Sequence, residues 1–146
     1  MNTEKKQRDI PVDTKVSLKL TLAALWASFM FLYIYVDYFH LYMPNKIEDI
    51  QIGRVFKFSI TEGFLLSALV SITIPILMIF LSVVLPAKVN RLINIAIAAV
   101  YIPFTLLNLA GETWMHMIFS AVVEVVILSL IILYAWKWPR IQKRKA

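Results

Sequence analysis

One glutamate stands alone in the most apolar stretch of the chain. From Trp114 to Trp138 the sequence reads WMHMIFSAVVEVVILSLIILYAWKW, and Glu124 is its only acidic residue. An ionised carboxylate facing lipid at such a position costs about 2.5–3.5 kcal/mol even on the lenient insertion scale. Glu124 must therefore face other helices or a cavity, or carry a proton. His116, Ser120 and Glu124 recur every four residues and share one helical face. Asn94, Ala98, Tyr101, Thr105 and Asn108 form a second stripe, and Trp26, Met30, Tyr33 and Asp37 a third. Three chemistries suit these stripes. A carboxylate among Trp and Tyr side chains attracts a lipophilic cation through charge and cation–π interaction. Glu124 with His116 or Asp37 could do acid–base work on a lipid-soluble substrate. Alternatively, Glu124 hydrogen-bonds Tyr101 or Thr73 as neutral glue between helices.

The candidate ligand-binding set is Glu124, His116, Asp37, Tyr101, Tyr33, Asn108 and Glu112. Each has a structural reading as well. Glu112 lies in the first turn of the last span, where the helix dipole favours a carboxylate. Glu62 completes Ser59-x-x-Glu62, a capping-box pattern. Asn90 and Asn94 read as satisfying helix ends at a turn, and Trp26, Trp136, Trp138 and Tyr134 as interfacial anchors. Other chemistries lack their residues. There is no cysteine, the two histidines (His40 and His116) form no HxxxH or HExxH, and three glycines hardly build a phosphate loop. No metal site and no cofactor is expected.

The elements that must position these residues follow from composition. Of 146 residues, 60% are hydrophobic and 16% charged, against about 25% charged in an ordinary soluble domain. The net charge of +6 flanks apolar runs, so the partner it points to is a lipid bilayer and not nucleic acid. Each of four runs approaches or exceeds the roughly 20 helical residues that cross a 30 Å hydrocarbon core. They are placed at about 20–39, 61–85, 92–110 and 114–136, with a polar tail at 1–19 and a basic tail at 139–146. The first run is too long for a signal-peptide core and lacks a cleavage site after it. Residues 41–59 read as a short interfacial helix or structured loop. Pro75 and Pro103 lie inside spans, and a kink or opened backbone is expected at Pro75. Lys and Arg number twelve on the side of the two termini and three on the other, which places both termini in the cytoplasm.

Ile74-Pro-Ile-Leu-Met-Ile-Phe-Leu-Ser82, Asn90-Arg-Leu-Ile-Asn-Ile95, and Glu124 followed by Tyr134-Ala-Trp-Lys-Trp138 carry a resemblance. So does Asp37 at the end of the first span. With these residues the chain resembles a family of small four-span prokaryotic membrane proteins of unknown function. The resemblance implies a bacterial inner-membrane protein and supplies no activity. It also implies an acidic residue shortly before the proline of span two, where this chain has only the hydroxyls of Ser71 and Thr73.

The expected fold is an all-α, integral membrane four-helix bundle with the polar stripes turned inward. The leading expectation for function is binding or transport of a small lipophilic ligand, a cation among the candidates, around Glu124. The alternatives are an intramembrane enzyme and a structural or regulatory subunit. Four spans make a thin wall for a complete transport path, which leaves a homodimer open.

Overall fold

The computed structural model describes residues 15–55 and 58–139. Most of the two tails, and Lys57 of the first loop, lie outside the described residues. The elements in chain order are α1 (Leu18–His40), α2 (Lys46–Gln51), β1 (Arg54–Val55), β2 (Phe58–Ser59), α3 (Glu62–Val84), α4 (Ala87–Leu109) and α5 (Met115–Trp136). Four of them, α1, α3, α4 and α5, are long and apolar enough to cross a membrane. The fold is an all-α membrane bundle with one minimal hairpin, in which Arg54 pairs with Ser59 and Val55 with Phe58.

Local chemistry sets the helix ends. Ser17 caps α1 by accepting from the Leu20 N–H, and Thr61 caps α3 by accepting from the Phe64 N–H. Thr61, not Ser59, is thus the cap, and Glu62 is the first helical residue and not the far end of a capping box. Between α3 and α4 only Leu85 and Pro86 intervene. Pro86 drives the residue before it out of the helical region, and Leu85 sits at ψ 148°. The same proline then starts α4 at once, five residues ahead of the run read from hydropathy, because Lys88, Asn90 and Arg91 dilute the first turns. Gly111, at φ +91°, turns the chain after α4 in a conformation that side chains disfavour.

The helices do not pack in chain order. α1 lies along both α3 and α5, and α4 lies along α5, while the consecutive α3 and α4 share a much smaller contact. The end holding the α3–α4 turn is here the turn end, and the end holding α2 and the hairpin the loop end. Trp26, Phe29, Leu22, Met78, Leu128 and Ile131 fill the centre, fully buried. Trp26, Phe29 and Tyr101 meet edge to face at 5.9–6.5 Å, which joins α1 to α4 across the bundle.

Two polar devices bind the helices where lipid offers no hydrophobic drive. The first surrounds Asn94. Its Oδ1 accepts from Trp26 Nε1 at 2.7 Å and from Ser82 Oγ at 3.2 Å. Its Nδ2 donates to the Asn90 carbonyl and to Asn90 Oδ1, at 2.9 and 2.6 Å. Asn94 thus uses both its donors and both its acceptor sites. Asn90 in turn donates to the Ser82 carbonyl at 2.6 Å, so it does satisfy the end of α3 as expected. Trp26 is no interfacial anchor. It is wholly buried, with its indole N–H spent on Asn94.

The second device starts from Pro75. Lacking an N–H, it leaves the Ser71 carbonyl without its helical donor, although α3 runs on through the proline. The Tyr101 hydroxyl reaches across from α4 and donates to that carbonyl. This is the opened backbone expected at Pro75, closed by a side chain of another helix.

Candidate functional site

Glu124 lies nine residues into α5, about 13 Å along the helix and near the middle of a bilayer core. It is 5% exposed, and its Oε2 accepts from Thr105 Oγ1 at 2.9 Å. Side chains on a helix lean toward its N-terminus. Because α4 and α5 run in opposite directions, Glu124 leans toward the loop end and Thr105 away from it, and the two meet. Neither expected partner is used. Tyr101 serves the Ser71 carbonyl, and Thr73 Oγ1 donates to the Leu69 carbonyl of its own helix.

Beyond Glu124, a cavity of about 850 Å³ opens between α1, α4 and α5 toward the loop end. Tyr33 lines it from α1, in company with Asn108, Asp37 and Glu124. Asp37 and His40 follow at the next turns of the same face. Leu41 just after α1, Ile50 of α2, and Val55 and Phe58 of the hairpin cover the outer part of the cavity. That cover is tied down where Lys46 Nζ meets Glu112 Oε1 at 3.8 Å. His40 faces this pair and His116.

Of the seven residues singled out by spacing, Tyr33, Asp37, Asn108, Glu112 and Glu124 line the cavity, and Tyr101 and His116 do not. Tyr101 is buried below it, among the central aromatic rings. His116 packs edge-on to Trp114 at 5.9 Å, with its Nε2 buried and unpaired among the described residues. His116 and Glu124 share a helical face, yet only Glu124 opens on the cavity. The candidate set leaves out His40, Thr105 and Ser120, which do line it, although spacing puts Thr105 and Ser120 on the polar stripes. Thr105 was legible as a member of the α4 stripe; His40 carried no signal beyond its type. No residue of α3 contributes.

Among the described residues, the lining carries three carboxyl side chains, Asp37, Glu112 and Glu124, one imidazole, and no lysine or arginine. With Glu112 engaged by Lys46, the inner two carboxyls are left with neutral donors such as Thr105. Among the described residues, no group of three or more His, Cys, Asp or Glu side chains is placed to hold a metal ion. What the arrangement offers is a largely apolar chamber with acidic groups at two depths.

Comparison with known proteins gives a family and nothing finer. No curated protein and no solved structure matches the chain significantly. A family model does, over residues 13–144, which takes in all four spans and both polar devices. The chain belongs to DUF6326, a family of unknown function.

Proposed function

We propose that this membrane protein binds a small lipophilic cation in the cavity between α1, α4 and α5. The observation that carries the reading is the charge balance of the lining: among the described residues, three carboxyls, of which Glu112 is paired with Lys46, and no lysine or arginine in a chamber of about 850 Å³. That volume falls within the roughly 300–1,000 Å³ of small-molecule sites. An acidic site at this depth either holds protons or attracts a cation, since uncompensated carboxylates in a medium of low dielectric are costly. Glu124 is the deep charge, Tyr33 and then Asp37 stand successively nearer the mouth, and Phe58 and Ile50 close over an apolar body. Transport of the ligand, coupled to protonation of Glu124, is the extension of this reading. Both termini in the cytoplasm, a bacterial inner membrane and a homodimer complete the proposal.

The test is thermal unfolding of the purified full chain in detergent, with and without a panel of aryl quaternary ammonium salts. A ligand at 100 times its Kd stabilises the folded state by about 2.7 kcal/mol. The expected result is a concentration-dependent rise in Tm that Glu124→Gln and Asp37→Asn each abolish. A rise that both variants retain, or none with any salt, refutes the reading. The enzyme reading draws on the same two carboxyls opening on one cavity, the arrangement an acid and a base would need. It predicts turnover of a lipid-soluble substrate, where the binding reading predicts release unchanged.

A further inference from the structure

The turn end of the bundle has the opposite character to the cavity. Lys19 of α1, Lys88 and Arg91 of α4, and Lys137 just after α5 gather there, with Lys15 preceding α1. No Asp or Glu occurs among the described residues of this end, at 15–20, 82–94 and 134–139. A surplus of cations is what orients spans, and loose lysines would suffice for that. Arg91 is not loose. Its guanidinium lies over the Trp136 ring, with Cζ 5.4 Å from the centroid, which ties this α4 side chain to α5. Its Nε is buried and has no hydrogen-bond partner among the described residues, and none of them forms an ion pair with it. Lys19 by contrast is engaged, donating to the Val83 carbonyl at 3.0 Å.

A guanidinium seated over an aromatic ring, with a buried Nε–H that no described residue accepts, calls for an acceptor, because a buried donor without one is costly. We propose that Arg91, flanked by Lys88 and Lys137, binds the phosphodiester of an anionic membrane phospholipid. The planar fork of N–H groups matches two phosphate oxygens at once, which an ammonium cannot do. Trp136 is 64% exposed in the last turn of its span, at the depth where an indole meets the glycerol and headgroup region of a lipid. Basic pockets between spans are a recurrent way of holding such headgroups. The acyl chains would run along the exposed Leu, Ile and Val of α4 and α5. This site lies at the opposite end of the bundle from the acidic cavity and does not depend on what that cavity binds.

The experiment titrates the full chain in non-ionic detergent with phosphatidylglycerol or phosphatidylcholine and counts retained lipid by native mass spectrometry. Phosphatidylglycerol should bind at least about fivefold more tightly, the contribution of one well-placed cation at a membrane surface. Arg91→Gln should reduce it to the phosphatidylcholine level, Arg91→Lys should restore only a small part, and Trp136→Leu should weaken it severalfold. Glycerophosphoglycerol, which has the phosphodiester and no acyl chains, should not compete at millimolar concentration. Wild-type preference in Arg91→Gln, or full preference in Arg91→Lys, overturns the proposal, the latter because diffuse charge would then suffice. Competition by glycerophosphoglycerol reassigns the site to a soluble phosphate ester and overturns the lipid assignment. Should Arg91→Gln fail to fold, Trp136→Leu decides: unaltered preference sinks the site.

Discussion

Pro75 and Tyr101 should be energetically coupled although they lie on different helices and meet only through the Ser71 carbonyl. Tyr101→Phe keeps the ring, and with it the edge-to-face contacts to Trp26 and Phe29, and deletes only the hydroxyl. In the wild-type background this strips the Ser71 carbonyl of the donor that replaces the missing proline N–H. The Ser71 hydroxyl offers no rescue, because it donates to the Ser67 carbonyl at 2.8 Å. No water is at hand in the hydrocarbon to fill the gap. An unsatisfied buried carbonyl costs about 1–3 kcal/mol, while hydrogen bonds between spans average about 0.6 and reach about 1.7 kcal/mol. The expected loss is thus about 1–1.5 kcal/mol. In a Pro75→Ala background the new N–H satisfies the carbonyl from within α3, and Tyr101→Phe should then cost about 0.3 kcal/mol. The coupling is about 1 kcal/mol, or roughly fivefold in the unfolding constant. Reversible unfolding of the four proteins of this cycle in mixed micelles, followed by circular dichroism, measures it. Equal costs in the two backgrounds, within about 0.3 kcal/mol, would refute the link between the proline and the tyrosine.

Asn94→Leu should destabilise the bundle by about 2–4 kcal/mol in the same assay, because it orphans Trp26 Nε1, the Ser82 hydroxyl and Asn90 Oδ1 together. Glu124→Gln should change stability by less than about 1 kcal/mol, since the amide oxygen still accepts from Thr105; a large loss would mark Glu124 as helix glue. Any stabilisation by a quaternary ammonium salt should fade as pH is lowered, because protonation of Asp37 and Glu124 removes the charge that attracts it; a pH-independent shift between pH 5 and 9 would exclude carboxylate recognition. Glu112→Gln should cost under about 1 kcal/mol, the range of an ion pair at the edge of a structure, yet speed ligand exchange by loosening α2.

The four spans and their polar faces were legible because both rest on periodicity and length, which the bilayer enforces strictly. The α1, α4 and α5 stripes run into the cavity, while α3, which carries no such stripe, stays out of it. Three things were not legible, each for its own reason. Trp26 was misplaced because residue type suggests an interface, whereas its helical phase with Tyr33 already put it on the inner face. Thr105 was passed over as the partner of Glu124 because residue counting gives the depth of a backbone, and side chains of antiparallel helices lean in opposite senses. The cover over the cavity had no pattern to read: Ile50, Val55 and Phe58 come from a six-residue helix and two-residue strands, too short for any period to show.

The order in which the helices pack also bears on biogenesis. α3 and α4 leave the ribosome as a hairpin with a two-residue turn, yet each lies chiefly along another helix, α3 along α1 and α4 along α5. Until α5 enters the bilayer, α4 is held against the nascent bundle chiefly by its Asn90, Asn94 and Tyr101 contacts. Synthesis of α5 thus completes two interfaces at once, its own with α4 and the one that locks α1 in place. A chain stalled before Met115 would display the Thr105 and Asn108 face of α4 to lipid. Such a display is the kind of signal by which membrane quality control tells an unfinished protein from a finished one.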